Sequence, residues 1–315
     1  MRASLITFCL MMYFTANAQI DTLRSKATIE AYVKSELKYK SLSLLDLNTL
    51  DASADSLNGK AAEAKYWING DFDNDGRIDL LAFATIQDWV GNKDNNLFVI
   101  LNKEKLSKKG KSSKIVSIAN SNYYKSFHNL IVVPGMISTN NKTYLTLVAK
   151  KPAALAKTQS TELSCDTVFI VNDRPMVYKA HPSTNTVKQI RFSTHGCYGD
   201  CPVFEIHINS DRSVAFDGIT KVKKTGNFTS EINELDYNYL IDLIKKLNVP
   251  LLQAVKPNHT LDIRESDLQI IYKNGNSEMF SETFHEEGLG SSYVSALLLD
   301  FLIGLHKSKY WTPQL

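Results

Sequence analysis

Residues 71–79 read Asp71-Phe72-Asp73-Asn74-Asp75-Gly76-Arg77-Ile78-Asp79, and this stretch decides how the N-terminal half folds. Carboxylates stand at positions 1, 3, 5 and 9 of the loop, with a glycine at position 6. Alternating aspartates around a tight glycine turn direct several oxygens at one centre, which suits a hard cation such as Ca²⁺. Without a cation these carboxylates would repel one another. The spacing therefore predicts a Ca²⁺ site whose ligands are side-chain oxygens of Asp71, Asp73, Asp75 and Asp79 and the backbone carbonyl of Arg77.

The flanking residues place this loop at the tip of a β-hairpin. Residues 65–68 read as a short strand that enters the loop, and residues 80–85 read as a buried strand that leaves it. An EF-hand would need a glutamate at loop position 12, but that position is Ala82. No candidate nucleophile or base neighbours the loop in sequence, so we expect a structural ion rather than a catalytic one. The alternative is an acidic turn that binds nothing.

The segment from Gly70 to Leu80 resembles the Ca²⁺ hairpins of FG-GAP and related propeller-type repeats. Their pattern runs Gly-Asp-Phe-Asx-x-Asp-Gly-x-x-Asp-Leu, and residues 70–80 follow it almost letter for letter. The resemblance implies a Ca²⁺-binding hairpin. Those families carry the motif several times, whereas this chain carries it once, so the resemblance does not imply a complete propeller.

The first eighteen residues have the pattern of a signal peptide. Arg2 supplies the positive start, residues 5–14 form an apolar core, and residues 15–18 end in a small-x-small cleavage site. The alternative, an N-terminal membrane anchor, needs a longer apolar run. The next most apolar segment, residues 294–305, is interrupted by Asp300. We therefore expect a periplasmic or secreted protein that begins at Gln19 and has no transmembrane segment.

The length of the chain predicts two domains, and its low net charge gives no reason to expect affinity for nucleic acid. The chain has 315 residues, a hydrophobic content of 43%, which suffices for packed cores, and a formal charge of only +3. Residues 151–164 are rich in Ala, Thr, Ser and Lys and are interpreted as a linker. They separate an N-terminal domain (residues 19–150), which carries the Ca²⁺ hairpin, from a C-terminal α+β domain (residues 165–315). A loop inside one larger domain would have the same composition.

The hydrophobic pattern predicts an α+β fold with mainly antiparallel sheets and a few packed helices. The Asn274-Gly275 pair is the strongest hairpin signal of the chain. Helices are predicted over residues 28–37, from about Asn233, and from Ser291 or Ser292. Strands are predicted over residues 65–68, 80–85, 97–101, 114–118, 130–133, 144–148, 167–171, 188–192, 203–208, 214–217, 268–272 and 278–280.

Cleavage of the signal peptide leaves three of the four cysteines. Cys197 and Cys201 lie in Cys-Tyr-Gly-Asp-Cys-Pro, and an oxidising compartment favours a disulfide between them. Cys165 is then a buried free thiol or the partner in an alternative bridge. A redox role is less favoured, because three residues separate the pair rather than the two of thioredoxin-like sites. A zinc site formed by His195, Cys197, Cys201 and either Cys165 or Asp200 is a further alternative.

The cysteine segment, residues 191–204, resembles a family of bacterial exported domains of unknown function. Their hallmark is Cys-(Phe/Tyr)-Gly-x-Cys-Pro-x-(Phe/Tyr), followed by a strand, an acidic turn, another strand and a glycine-containing strand before a helix. Asp211, Gly218, Gly226 and the helix after Glu231 fit that order. The resemblance covers residues 188–305 and implies an architecture rather than an activity.

The sequence carries no Gly-x-Ser-x-Gly, no His-Glu-x-x-His and no phosphate-binding glycine loop. Together with the signal-peptide pattern and the aspartate loop, this favours an exported calcium-binding protein that acts as a non-enzymatic binding or envelope module and recognises an unknown protein or glycan. The alternative is a secreted hydrolase or inhibitor-like factor with a site between the two domains.

Overall fold

The structure, a computed structural model, describes the following parts of the chain: residue 23 and residues 25–45, 67–87, 93–103, 113–120, 133–139, 142–150, 163–196, 201–247, 265–283 and 293–313. The predicted signal peptide (residues 1–18) lies outside the described residues. So do residues 151–162 of the predicted linker, whereas its last two residues begin a strand.

The first sheet has five strands and contains the aspartate hairpin. It is formed by β1 (Ser41–Leu44), β2 (Trp67–Gly70), β3 (Asp79–Gln87), β4 (Lys93–Asn102) and β5 (Ser113–Asn120), and all its pairings are antiparallel. The strand β3 is central, because β4 lies on one side while β1 and β2 pair with its two ends on the other. The hairpin predicted around the aspartate loop is confirmed by the pairing of β2 with β3.

One helix, α1 (Lys26–Leu37), packs on this sheet. Ser25 caps its N-terminus, since the Ser25 hydroxyl accepts a hydrogen bond from the Thr28 amide at 3.2 Å. Ile29 and Val33, one turn apart, are fully buried against alternate residues of β3. Leu37 is exposed, because the helix ends there and Lys38 turns the chain with a φ of 56°.

A second sheet has four strands in the order β6 (Val133–Thr139), β7 (Lys142–Lys150), β8 (Leu163–Val171) and β9 (Arg174–Val177). Asn172 and Asp173 join β8 to β9, and both have positive φ values, 51° and 61°, as a tight hairpin turn requires. Strands from both sides of the predicted linker therefore share one sheet.

The third sheet has seven antiparallel strands, which are β10 (Val187–Thr194), β11 (Val203–Asn209), β12 (Ser213–Thr220), β13 (Gly226–Glu231), β14 (Glu265–Tyr272), β15 (Ser277–Thr283) and β16 (Thr312–Pro313). Their order in the sheet is β15-β14-β10-β11-β12-β13-β16. Asn274 and Gly275 form the predicted turn between β14 and β15, and Gly275 has a φ of 87°.

One face of this sheet is apolar and forms a core with the C-terminal residues. Phe216 stacks on Trp311 with ring centroids 4.4 Å apart, and Phe204 stacks on His306 at 5.6 Å. The helices α2 (Glu234–Lys246) and α3 (Tyr293–Gly304) contact each other through Tyr239 and Phe301. The apolar residues of the two helices are buried, namely Leu240, Leu243, Ile244 and Leu247 in and after α2 and Val294, Leu297, Leu298 and Leu305 in and after α3.

The α+β prediction is confirmed as a sheet-rich fold with three α-helices among the described residues. By its contacts the chain divides into two compact units, Met1–Asn122 with Ile131–Ala149 and Thr167–Pro175, and Tyr123–Leu130 with Lys150–Asp166 and Met176–Leu315. The division into domains at residues 151–164 stays a prediction. None of the helices in the described ranges is long and apolar enough to cross a membrane.

Candidate functional site

The aspartate loop is shaped by its own backbone and by one buried ring. Gly70 pairs with Asp79 at the end of the hairpin, so the loop spans the residues between them. Asn74 and Gly76 have φ values of 59° and 88°, and glycine reaches the second value without a steric penalty. Phe72, only 1% exposed, anchors the loop in the core. The loop is therefore held in a defined conformation rather than splayed into solvent.

Two aspartates organise this conformation by accepting backbone hydrogen bonds. The Asp71 carboxylate accepts the amides of Asp75 and Gly76 at 3.0 and 2.9 Å. The Asp79 carboxylate accepts the amides of Phe72 and Asn102, each at 2.8 Å. Asp79 thus joins the start of the loop to the end of β4.

The carboxyl group of Asp79 is buried and is a weaker acid than an ordinary aspartate. Its accessible surface is 0%, and burial raises its pKa to about 7. The two amide hydrogen bonds act in the opposite direction, and the charges of Asp73 and Asp75 raise the pKa further. A bound cation would offset the cost of burying the charged Asp79 carboxylate and would reduce its repulsion by Asp73 and Asp75. It would therefore favour the ionised form of Asp79.

Asp73 carries the atom that most clearly lacks a partner. Its side chain is 6% exposed, and Oδ2 forms an ion pair with the ammonium of Lys103. Its Oδ1 is buried and has no hydrogen-bond partner within the described part of the chain. A buried carboxylate oxygen without a partner is costly, and this atom has a lone pair free to bind a cation.

The carboxylates of Asp71, Asp73 and Asp79 each offer an oxygen, and these oxygens lie within 4.8 Å of one another. Ca²⁺–oxygen distances of about 2.3–2.6 Å allow one ion to contact oxygens at such separations. The ligand set is oxygen only, as a hard cation requires. These residues therefore fit a Ca²⁺ ion.

Asp75, the fourth predicted carboxylate ligand, contacts the amide and the side chain of Arg77. The Asp75 carboxylate accepts the Arg77 amide at 3.0 Å and pairs with Arg77 Nη2 at 2.8 Å. The Arg77 Nε donates to the Asn102 carbonyl at 2.9 Å. The structure thus brings three of the four predicted carboxylates together and leaves the fourth, Asp75, beside the Arg77 side chain. The role of the Arg77 carbonyl as a ligand stays a prediction.

Three charged residues that sequence reasoning missed lie around this loop. Lys103 pairs with Asp73 and also with Asp173, at 2.8 Å, while Lys114 pairs with Asp173 at 3.0 Å. Burial tends to lower the pKa of Lys103, but its hydrogen bonds to Asp173 and Asp73 outweigh this and raise the pKa. Lys103 and Lys114 are the first and last of the six lysines between residues 102 and 114, and both form ion pairs.

The cysteine motif is only partly within the described residues. Cys197 and Asp200 lie outside them, and Cys201 is buried at 7% exposure. His195, a member of the alternative zinc set, has its Nε2 2.8 Å from Asp267 Oδ2. The disulfide between Cys197 and Cys201 and the zinc alternative both stay predictions.

A second candidate site is a polar depression of about 410 Å³ on the face of the seven-stranded sheet opposite its aromatic core. Its side chains form a continuous chain of hydrogen bonds. Arg191 donates to Gln189 at 2.7 Å, Gln189 donates to Asn209 at 2.7 Å, and Asn209 donates to Ser213 at 2.9 Å. The depression is lined by Lys188, Gln189, Arg191, Asn209, Ser210, Asp211 and Ile271.

Comparison with known proteins identifies one region of the chain. No curated protein and no solved structure matches it. The family described as Domain of unknown function (DUF6438) matches residues 188–291. This match covers β10, apart from its first residue, through β15 and includes every residue that lines the polar depression. The C-terminal part of the chain therefore contains a domain of the DUF6438 type.

Proposed function

We propose that the protein is an exported calcium-binding protein that acts as a non-enzymatic binding or envelope module. Its Ca²⁺ ion stabilises the hairpin of β2 and β3, and its ligand is a protein or a glycan. The observation that carries the calcium part is the buried Oδ1 of Asp73, which has no partner within the described residues. The same carboxylate group has an oxygen within 4.8 Å of oxygens of Asp71 and Asp79.

The role of the ion in this proposal is structural. Asp71 and Asp79 already use both carboxylate oxygens to hold backbone amides, so the ion would bind atoms that also fix the loop. Each carboxylate oxygen keeps a second lone pair for a metal. A cation at this point would screen the carboxylates from one another and secure β2 against β3.

The polar depression of the DUF6438-type domain supports the binding part of the proposal. Its amide, guanidinium and hydroxyl groups are positioned by one another, and pre-positioned polar groups favour recognition of a polar ligand. Lys188 and Arg191 supply two positive charges against the single carboxylate of Asp211. An acidic glycan is therefore the ligand class that we propose first.

Thermal unfolding of the mature protein tests the calcium part. Because Ca²⁺ would bind only the folded state, an excess of a hundredfold over Kd should add about 2.7 kcal/mol to the free energy of unfolding. We expect the melting temperature to rise in millimolar Ca²⁺ relative to chelator, and Asp73→Ala to remove most of the rise.

The matched control is Asp300→Ala, which removes an exposed carboxylate on α3 and should leave the response to Ca²⁺ intact. Identical melting curves in Ca²⁺ and in chelator for the unmodified protein would refute the calcium site.

A further inference from the structure

Lys103 is tied to the aspartate loop through its side chain and through the backbone of the residue before it. It follows directly after Asn102, the last residue of β4, whose amide donates to Asp79 and whose carbonyl accepts from Arg77. Its ammonium pairs with Asp73 Oδ2 and lies 2.8 Å from Asp173 Oδ1. Lys103 therefore bridges a proposed metal ligand to a carboxylate on the turn between β8 and β9.

We infer that Lys103 is a built-in competitor of the metal ion: its ammonium neutralises Asp73 in the cation-free loop, and Asp173 holds the ammonium when Ca²⁺ takes Asp73. This inference rests on the proposed calcium site and adds the regulation of its affinity.

The competition follows from the position of the charges. The Lys103 side chain is 29% exposed and that of Asp73 is 6% exposed, so water screens this pair poorly. A divalent ion that binds the same carboxylate would be repelled by an ammonium in hydrogen-bond contact with it. Binding of Ca²⁺ therefore has to overcome this repulsion or move the ammonium away.

Asp173 is placed to accept the displaced ammonium. It lies in the tight turn between β8 and β9, where Asn172 and Asp173 both have positive φ angles, and its carboxylate already contacts Lys103. The lysine stem is flexible, so the ammonium can give up Asp73 and keep Asp173 without movement of the backbone. Lys114 neutralises Asp173 from β5 and does not depend on Asp73 for its contact.

Calorimetric titration of the mature protein with Ca²⁺ tests the competition. Lys103→Met should lower the Kd about tenfold, which corresponds to about 1.4 kcal/mol. Lys114→Met is the matched control, because it removes the same charge and the same kind of contact to Asp173 but none to Asp73. We expect it to change the Kd by less than about threefold. Lys103→Gln provides a second, polar variant of the same position in case Lys103→Met folds poorly.

The role of Asp173 is tested by a double-mutant cycle. Asp173→Asn should weaken Ca²⁺ binding several-fold when Lys103 is present, because the ammonium then has only Asp73 as a partner. The same substitution in the Lys103→Met background should have little effect. An equal loss in both backgrounds would mean that Asp173 acts only as a distant charge, which would overturn its assigned role.

The outcomes separate this inference from the calcium proposal itself. If the unmodified protein binds Ca²⁺ and neither Lys103→Met nor Lys103→Gln binds it more tightly, the competitor role is wrong while the site stands. If only the Lys103 variants bind, the competitor role is supported and the unmodified protein is not a calcium binder under those conditions. If none of them binds at millimolar Ca²⁺, both proposals fail.

Discussion

Asp73 and Asp79 show how two carboxylates of one loop differ through their contacts. Both oxygens of Asp79 accept backbone amides, so this residue is fixed by the fold. Asp73 has one oxygen on Lys103 and one buried oxygen without a partner within the described part of the chain. The spacing of the aspartates predicts the cluster because the residues are close in sequence and a glycine turn brings them together. It cannot predict Lys103, which is 30 residues from Asp73 and meets it only through strand pairing.

The acidity of Asp79 predicts an unusual pH dependence in metal-free buffer. Its pKa is raised to about 7, whereas an aspartate in the unfolded chain has a pKa near 3.9. Between about pH 4 and pH 7 the folded protein therefore keeps a proton that the unfolded chain releases. The contribution of Asp79 to stability falls as pH rises through this range, and we expect urea unfolding at pH 5, 6, 7 and 8 to show it.

The comparison with Asp79→Asn isolates the contribution of Asp79 from those of all other titratable groups. The asparagine variant should lack the part of the pH dependence that Asp79 supplies, whereas Asp300→Asn should retain it. Saturating Ca²⁺ should flatten the curve of the unmodified protein, since the ion favours the carboxylate. A difference between the unmodified protein and Asp79→Asn that does not change from pH 5 to pH 8 would contradict the raised pKa.

At the level of elements, local signals predict the hairpins best. The Asn274-Gly275 turn and the aspartate loop both contain a glycine with positive φ, at Gly275 and Gly76, and both join antiparallel strands. The predicted ranges do not include β1, β9 or β16, which have four, four and two residues. The strands β1 and β16 form through their pairing with β3 and β13. The pattern of so short a strand is weak, and β2, also of four residues, is predicted with the help of the aspartate loop that follows it.

Gly218 on β12 gives a prediction that concerns close packing rather than turn geometry. A Cβ at this position would lie 2.1 Å from the carbonyl oxygen of Lys224 and 2.9 Å from the Phe216 ring. The turn after β12 folds back on this residue, so Gly218→Ala has to displace backbone. We expect a loss of about 3 kcal/mol or more in the free energy of unfolding, measured in urea.

Gly226, the partner of Gly218 in the pairing of β12 with β13, is the matched control. Its φ is 104°, and a Cβ there would meet no atom within 4 Å, so Gly226→Ala suffers only backbone strain. That strain is about 1–2 kcal/mol. Equal losses for the two variants would show that the turn moves away from Gly218 at little cost.

At the scale of the whole chain, the pairing of distant strands limits what the sequence predicts. The sheet-rich α+β class follows from the alternation of apolar residues in the individual strands. The four-stranded sheet joins β7, before the predicted linker, to β8, which begins within it. Composition marks residues 151–164 as a break but contains no information about which strands pair across it. The DUF6438 match begins at residue 188, well after that segment.

The mature protein should bind acidic glycans through the polar depression of its DUF6438-type region. Arg191 lies in this depression with its Nε on Gln189, which orients the guanidinium for a charged ligand. We expect immobilised acidic glycans to retain the unmodified protein more strongly than neutral glycans do. Arg191→Ala should weaken retention about tenfold, or about 1.4 kcal/mol.

Lys223→Ala is the control for this experiment, because it removes one exposed positive charge outside the depression. General attraction between a basic protein and an acidic ligand would be reduced alike by either substitution and would vanish at high salt. If the depression is a specific site, the acidic glycans should retain Arg191→Ala less strongly than the unmodified protein. They should retain Lys223→Ala as strongly as the unmodified protein. If both variants weaken equally, or if neutral glycans are retained as well as acidic ones, the depression is not the binding site and a protein ligand becomes the stronger hypothesis.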